Sequence, residues 1–466
     1  MTIGDILVSN SKANLDNLLP LTEVRTREDI KRYCDAGYGV GMTAGEFSEK
    51  YPLLPIDHIY VGFNRLSSLY YCEPNNPVVP IVLSLQIYGD HRLQVGNLND
   101  EQFQQYILDT AEKLTTGYTA YIRAYIFSLE DSFRVSVLSK YIKQAPPSPE
   151  LYSLFADMYR STDYGFGVFD KGDLEKVFAG KSEEQKAETA AKLANFPDRV
   201  TIYRGEGSKS TPFERSFSWT TSFRAACFFA CRLPSAENSR IISAEIAKSD
   251  IIEYFPESSE KEVLIPPSAV KGTKIDTLYG IHALAREVNN IMPIYQCYRP
   301  RIAELYEDYG RGDEEGHDAE HTLRVIFDAL LLIQIQKVNL TQEETYQLCD
   351  AILYHDVGRM NDDVDDDHGK ASRQIYLEDS IDDDPTVGFL IRYHCIDDDV
   401  ARNDLEIMQI PDNKDRVWLL YTILKDADAL DRVRFGLRAV NPRYFRNKMA
   451  HKLLPVAQSC VGQLRL

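Results

Sequence analysis

Apolar residues recur at two spacings along this chain, and the switches between them divide it. In the first third, "VVPIVLSLQIY" reads as strand. From about Asn99 to Ile142 the apolar residues fall three and four apart, as in "EQFQQYILDTAEKL", which predicts one long helical stretch capped by Asn99-Asp100. The run "KQAPPSPE" (Lys143–Glu150), with three prolines and a serine in eight residues, breaks the pattern. Beyond it, "LYSLFADMYR", "GDLEKVF" and "SEEQKAETAAKLANF" read as helices. The short runs "VTIYRG", "SFSWTTS", "RIISAEI" and "EVLIP" read as strands around one helix, "RAACFFACRL". From about Asp276 the chain turns to helices separated by acidic loops. The expected architecture is multidomain: an α+β region over 1–145 with no assigned role, an α+β domain over 146–275, and an all-α domain over 276–466.

Composition narrows the function classes. A chain of 466 residues exceeds one typical core and suggests two or three domains. Apolar residues at 44% and charged residues at 26% match an ordinary globular protein. A formal net charge of −19 argues against broad electrostatic binding to nucleic acid or anionic membrane. The N-terminus lacks a basic segment followed by a long apolar run, and no apolar run is long enough to span a bilayer. The eight cysteines are scattered; the closest pair, Cys227 and Cys231, is spaced for one helix face, so reduced structural thiols are expected. The expected location is the cytoplasm, or export as an effector without a cleavable signal.

Candidate chemistry appears first in the C-terminal third. Five of the nine histidines fall between His317 and His394, among "GHDAEHTLRV", "ILYHDVGRMNDD", "DDDHGKAS", "IRYHCIDDD" and "ILKDADALDRVR". "HTLRVIFDALLLI" is amphipathic with His321 near its start, and "ETYQLCDAILYHD" is a second helix ending in His355-Asp356, with Gly358 suiting its terminus. Imidazoles with carboxylates favour Mn, Fe, Zn or Mg over a metal that prefers thiolates. The acidic runs "NDDVDDD", "IDDDP" and "CIDDD" read mostly as solvated loop charge. Over about residues 280–440 this order resembles the HD-domain metal-dependent phosphohydrolases. The resemblance places the metal ligands at His321, the doublet His355 and Asp356, and Asp428, with Asp426 as the substitute for the last. His368 and His394 lie where two-metal members carry further histidines. It implies hydrolysis or sensing of a phosphate or nucleotide ligand, with Lys425 and Arg432 as candidate phosphate contacts.

Three further motifs precede this region: "VTIYRGEG", "SFSWTTSFRAACFFA" and "SSEKEVLIPP". Their order over about residues 150–275 resembles the arginine–serine–glutamate class of ADP-ribosyltransferases. The resemblance implies NAD as co-substrate, bound by Arg204 with Gly205 beside it. Thr220, Thr221 and Ser222 stand at the Ser-Thr-Ser position that braces the NAD pocket and orients the catalytic glutamate; threonine replaces serine in the first place. Trp219 and Phe223 are candidates for packing against the pocket, or for the core. By the family pattern Glu262 stabilises the oxocarbenium-like state through the ribose 2′-hydroxyl, and Glu260 positions or deprotonates the acceptor. On an extended strand, residues two apart project to one side, so both glutamates are expected to address one cleft. Glutamate at the first position is associated with arginine acceptors on proteins, and related enzymes modify nucleic acid bases. The expected protein is a mono-ADP-ribosyltransferase fused to an HD-type domain, a pairing that suits a bacterial effector or toxin. The alternative is an HD-type hydrolase whose middle region only binds nucleotide.

Overall fold

The computed structural model describes residues 15–63, 69–85, 87–88, 91–92, 98–129, 131–162, 166–208, 210–232, 239–309, 318–359, 367–380 and 383–464. His317 and most of the "NDDVDDD" run lie outside them. The chain divides into two compact units, residues 1–194 and 195–466, and the helices of 149–192 belong to the first.

In the first unit, β1 (Leu19–Pro20), β2 (Ile59–Val61), β3 (Leu69–Glu73) and β4 (Ile81–Ser84) form an antiparallel sheet in that order. A separate ribbon pairs β5 (Ile87–Tyr88) with β6 (His91–Arg92). The helices are α1 (Arg27–Asp35), α2 (Ala44–Lys50), α3 (Asp100–Thr115), α4 (Thr119–Ser128), α5 (Asp131–Gln144), α6 (Pro149–Ser161), α7 (Lys171–Ala179) and α8 (Glu183–Lys192). Asn99 caps α3 in a reciprocal box with Gln102. The helical stretch expected from about Asn99 to Ile142 is made of three helices. Its first break falls at Gly117, whose φ of +72° no helix accommodates. The Tyr125 hydroxyl of α4 donates to the Pro80 carbonyl (2.9 Å) and accepts from the Val82 amide (2.7 Å), tying helices to sheet.

The second unit opens with a six-stranded antiparallel sheet. Its strands are β7 (Arg199–Glu206), β8 (Ser218–Thr220), β9 (Arg240–Ala247), β10 (Glu253–Phe255), β11 (Glu262–Leu264) and β12 (Lys274–Thr277), in the order β10-β11-β8-β7-β9-β12. Strands β10 and β12 did not stand out in the sequence pattern. Helix α9 (Phe223–Cys231) packs on β7 so closely that a Cβ on Gly205 would overlap the Ala226 carbonyl oxygen. Glycine at 205 is therefore a demand of strand–helix packing.

The helical region comprises α10 (Ala285–Tyr309), α11 (Ala319–Gln336), α12 (Gln342–Tyr354), α13 (His368–Asp379), α14 (Pro385–Tyr393), α15 (Asp398–Ile407), α16 (Lys414–Asp431) and α17 (Leu454–Cys460). Every residue of α11 from His321 to Ile333 is buried, which makes it the axial helix. Sheet and helices share one core: Ala226, Cys227, Ala230 and Cys231 of α9 join the apolar cluster of α10–α17. All eight cysteines are free thiols, and burial raises the pKa of Cys227 and Cys231. Among the described residues no helix is long and apolar enough to cross a membrane.

Two candidate functional sites

The first site grows from the ends of the helices. Asp318 caps α11 by accepting from the His321 amide (2.7 Å), which sets His321 in the first turn, facing the core. Helix α12 ends at Tyr354, so His355 and Asp356 leave its axis and turn inward. Gly358 lets this turn press on α13: its amide donates to Ser372 Oγ (3.0 Å), and a Cβ there would collide with the Ser372 backbone nitrogen. His368 opens α13, His394 ends α14, and Asp428 lies on α16. His321, His355, Asp356, His368 and His394 are each 5% exposed or less.

Asp356 stands between two groups of imidazoles. Its Oδ2 lies 3.4 Å from His321 Nε2 and 3.5 Å from His355 Nε2; its Oδ1 lies 3.1 Å from His368 Nε2 and 3.3 Å from His394 Nε2. Asp428 Oδ1 is 3.4 Å from His321 Nε2. Asp426 turns away and accepts the Arg446 and Asn447 amides (3.0 and 2.6 Å), so Asp428 is the aspartate that faces the histidines.

The protons are held on the far side of these rings. His355 Nδ1 donates to the Ile352 carbonyl (2.7 Å) and His394 Nδ1 to the Ile391 carbonyl (2.8 Å), so in the neutral rings Nε2 carries a bare lone pair. Burial lowers the His355 pKa to about 4, which keeps that lone pair available at neutral pH. His321 Nδ1 faces Asp431 Oδ2 (2.7 Å). Burial works against ionising Asp431, but His321 and Arg324 outweigh it and hold its pKa low. His321 and His355 thus present Nε2 atoms 3.2 Å apart, with carboxylate oxygens around them. Bonds of about 2.1 Å give ligand–ligand edges of about 3.0 Å in an octahedron and about 3.4 Å in a tetrahedron. The donor set and its spacing fit a divalent cation on each face of Asp356. His321, His355 and Asp428 form one candidate metal group, and His355, Asp356 and His394 another. Cys395 groups with His368 and His394.

Two residues here had escaped the sequence reading. Asp431 supports His321 from one turn beyond Asp428, a position legible only once both are seen on one helix face. Arg434, buried with its Nη1 3.2 Å from Asp431 Oδ2, is the inward guanidinium, whereas the expected Arg432 points out and bonds the Ala439 carbonyl (3.3 Å). Lys425 is held by the Ile396 carbonyl (2.5 Å) and Asp398 (3.3 Å). With Arg446, Tyr444, Cys395 and Asp397–Asp399 it lines a cavity of about 640 Å³. The acidic runs are not merely solvated: Asp384 caps α14, and Asp398 pairs with Arg446 (2.8 Å).

The second site lies on the sheet. Arg204 on β7, Thr220 on β8 and Glu262 on β11 occupy three neighbouring strands, with Tyr203 opposite Thr220 and Thr220 opposite Glu262. Arg204 sends Nη1 to the Ser218 carbonyl (2.8 Å), Nη2 to the Thr211 carbonyl (2.7 Å) and Nε to Glu206 (3.2 Å). Buried Glu206 also takes Arg240 (2.7 Å). The Ser218 hydroxyl donates to Glu262 Oε1, so one serine joins the arginine to the glutamate.

The expected serine/threonine motif divides its work. The Thr220 hydroxyl donates to the Glu260 carbonyl and the Thr221 hydroxyl to the Lys261 carbonyl (3.2 Å), while Ser222 caps α9. These residues fasten the turn that carries the glutamates; the carboxylate contact belongs to Ser218, two residues earlier. Nor do the glutamates share an extended strand. Lys261 has φ of +50°, β11 begins at Glu262, and Glu260 lies in the preceding turn. A left-handed residue between them replaces the two-residue strand repeat as what sets their directions. Trp219 is buried, and Phe223 lies edge-on to Tyr203 and His451 (5.4 and 5.1 Å between centroids).

Comparison with protein-family models, curated proteins and solved structures found no match.

Proposed function

We propose that this chain is an NAD-dependent mono-ADP-ribosyltransferase, with an arginine side chain of a protein as the favoured acceptor, joined to an HD-type domain that binds divalent metal and hydrolyses or senses a phosphate or nucleotide ligand. The observation that supports the transferase reading is the linkage Arg204–Ser218–Glu262 across three adjacent strands, assembled from segments far apart in sequence.

In this reading the nicotinamide–ribose bond breaks through a state with positive charge on the ribose, as in glycoside hydrolysis. Glu262, oriented by Ser218, stabilises that charge. Arg204 sets the pocket wall and addresses the NAD phosphates with its planar fork. Glu260 takes the proton lost by the acceptor. In the helical region His321, His355, Asp356 and Asp428 would hold one cation, and Asp356, His368 and His394 the second. Such a pair supplies a Lewis acid for phosphoryl oxygen and activation of water. The chain's own part is to keep the His355 ring neutral, aim the imidazole Nε2 atoms and bury the site.

The test is transfer of label from NAD to lysate proteins by purified protein. Label transfer by Glu262→Ala equal to wild type would sink the assignment, and mass spectrometry of the labelled species separates a protein from a nucleic acid acceptor.

A second reading, favoured by the more completely buried histidine–aspartate centre, makes the metal domain the sole enzyme. Metal-dependent phosphate release that vanishes in His355→Ala/Asp356→Ala, with no NAD turnover, would establish it instead.

A further inference from the structure

Between α16 and α17 the chain runs through short 3₁₀ turns at Arg432–Phe435, Leu437–Ala439, Pro442–Tyr444 and Ala450–Leu453. This segment is tied to helix α9 near its start and to the sheet near its end. The Arg224 guanidinium of α9 donates to the Arg438 carbonyl. Farther along, His451 and Lys452 each reach Asp276 of β12 at 2.6 Å, and the Tyr279 amide donates to the Lys452 carbonyl (2.8 Å). Gly436, with φ of +92°, makes the bend that precedes Leu437, which packs against the core, and Arg438, which is exposed.

Arg438 is thereby placed at the glutamate turn. Its guanidinium lies 4.9 Å from the Phe228 ring centroid, and its Nη2 is 3.9 Å from Glu260 Oε1. Its side chain is 70% exposed, so the face away from Phe228 is open to a ligand. An exposed ion pair at this distance contributes little to stability. What the backbone anchors accomplish is placement: a guanidinium is held beside the carboxylate that, in the proposed reaction, receives an acceptor's proton.

We propose that Arg438 is an internal acceptor, and that the protein ADP-ribosylates itself there. The inference rests on the transferase reading. A guanidinium nitrogen of Arg438 loses a proton to Glu260 and attacks C1″ of the nicotinamide ribose. The C1″–N bond to nicotinamide breaks, and its electron pair leaves with neutral nicotinamide. The product is an N-glycosidic ADP-ribosyl-arginine, and the proton passes from Glu260 to water. Because the acceptor is tethered, the reaction is intramolecular and gains the advantage of proximity.

The experiment incubates the full chain with NAD, with and without agmatine as a free guanidine, and maps the modified peptides by mass spectrometry. The expected result is ADP-ribose on Arg438, formed at a first-order rate independent of protein concentration, and lost from the Arg438→Lys variant. Glu260→Gln is expected to lose this mark. Agmatine modified with Arg438 left bare would overturn the internal acceptor and leave the transferase reading standing. If neither acceptor is modified and NAD is not consumed, both fall together.

Discussion

Asp356 and Glu260 are both carboxylates on turns that follow a secondary-structure element, yet their surroundings differ. The Asp356 side chain is 3% exposed and meets four imidazoles contributed by separate helices; the Glu260 side chain is 32% exposed on the rim of a sheet. The histidine–aspartate centre is preorganised. The rings of His321, His355 and His394 are each aimed by a carbonyl or carboxylate behind them, and the donor atoms already stand at coordination spacing. The sheet site is organised at its base, through Arg204, Ser218 and Glu262, and open at its top. In the proposed reading, this contrast suits a small ion that must be enclosed and a large co-substrate that must enter and leave.

The largest effect is expected at Asp356. Asp356→Ala should abolish binding of both cations, measured as metal per protein after loading, whereas His368→Ala should retain the one held by His321, His355 and Asp428. Asp431→Asn should weaken metal affinity about 10–100-fold, because the proton on His321 would no longer be fixed. An unchanged metal content in Asp356→Ala would end the two-faced account.

On the sheet, Glu262→Ala should lower NAD turnover by about 10²–10³-fold, the scale of losing a charge-stabilising group. Ser218→Ala should cost about tenfold, as expected of a group that only orients it. Equal losses at Thr220→Ala and Ser218→Ala would return the orienting role to the later hydroxyl.

Gly205→Ala tests whether the base of the open site is as closely packed as the buried one. The added methyl meets the Ala226 carbonyl, and destabilisation of about 3 kcal/mol is expected in urea unfolding.

The smallest effect concerns Asp328, two turns along α11 from His321. It is 1% exposed, and among the described residues neither carboxylate oxygen has a hydrogen-bond partner. Burial, with the nearby charge of Asp431, raises its pKa well above the usual carboxylate range, against a partial offset from Arg324. In the fold the protonated form is favoured to higher pH; in the unfolded chain it ionises above about pH 4. Its contribution is most favourable below that pH and is lost as pH rises toward the folded value. Asp328→Leu should therefore stabilise by about 1–2 kcal/mol, more at pH 8 than at pH 4. A gain larger at pH 4 would contradict the sign.

Much of this is legible in the sequence. The strands around "YRG", "SWT" and "EVL" and the helices bearing His321 and His355 followed from periodicity and spacing, which are local properties, and the histidine–aspartate set from the resemblance of its order to a known family. What escaped was non-local or fell at a break in periodicity. The two glutamates read as a strand pair because "EKE" runs into apolar residues; the left-handed Lys261 leaves no mark in hydropathy. Arg432 and Arg434 are two apart with similar neighbours, and only the 3₁₀ turn after α16 decides which faces inward. Ser218 and Asp431 resemble many other serines and aspartates until their partners arrive.

Residue type and local periodicity mark the candidate cation ligands and charged groups, and the alternation of elements that presents them. Tertiary structure alone decided that Asp356 serves two faces, that Ser218 joins Arg204 to Glu262, and that Arg438 meets Glu260. The physical reason is that donor type and helix or strand periodicity are written within a few residues. Contacts between segments separated by tens or hundreds of residues depend on how the shared core packs them, and a turn of one residue changes which side chain arrives.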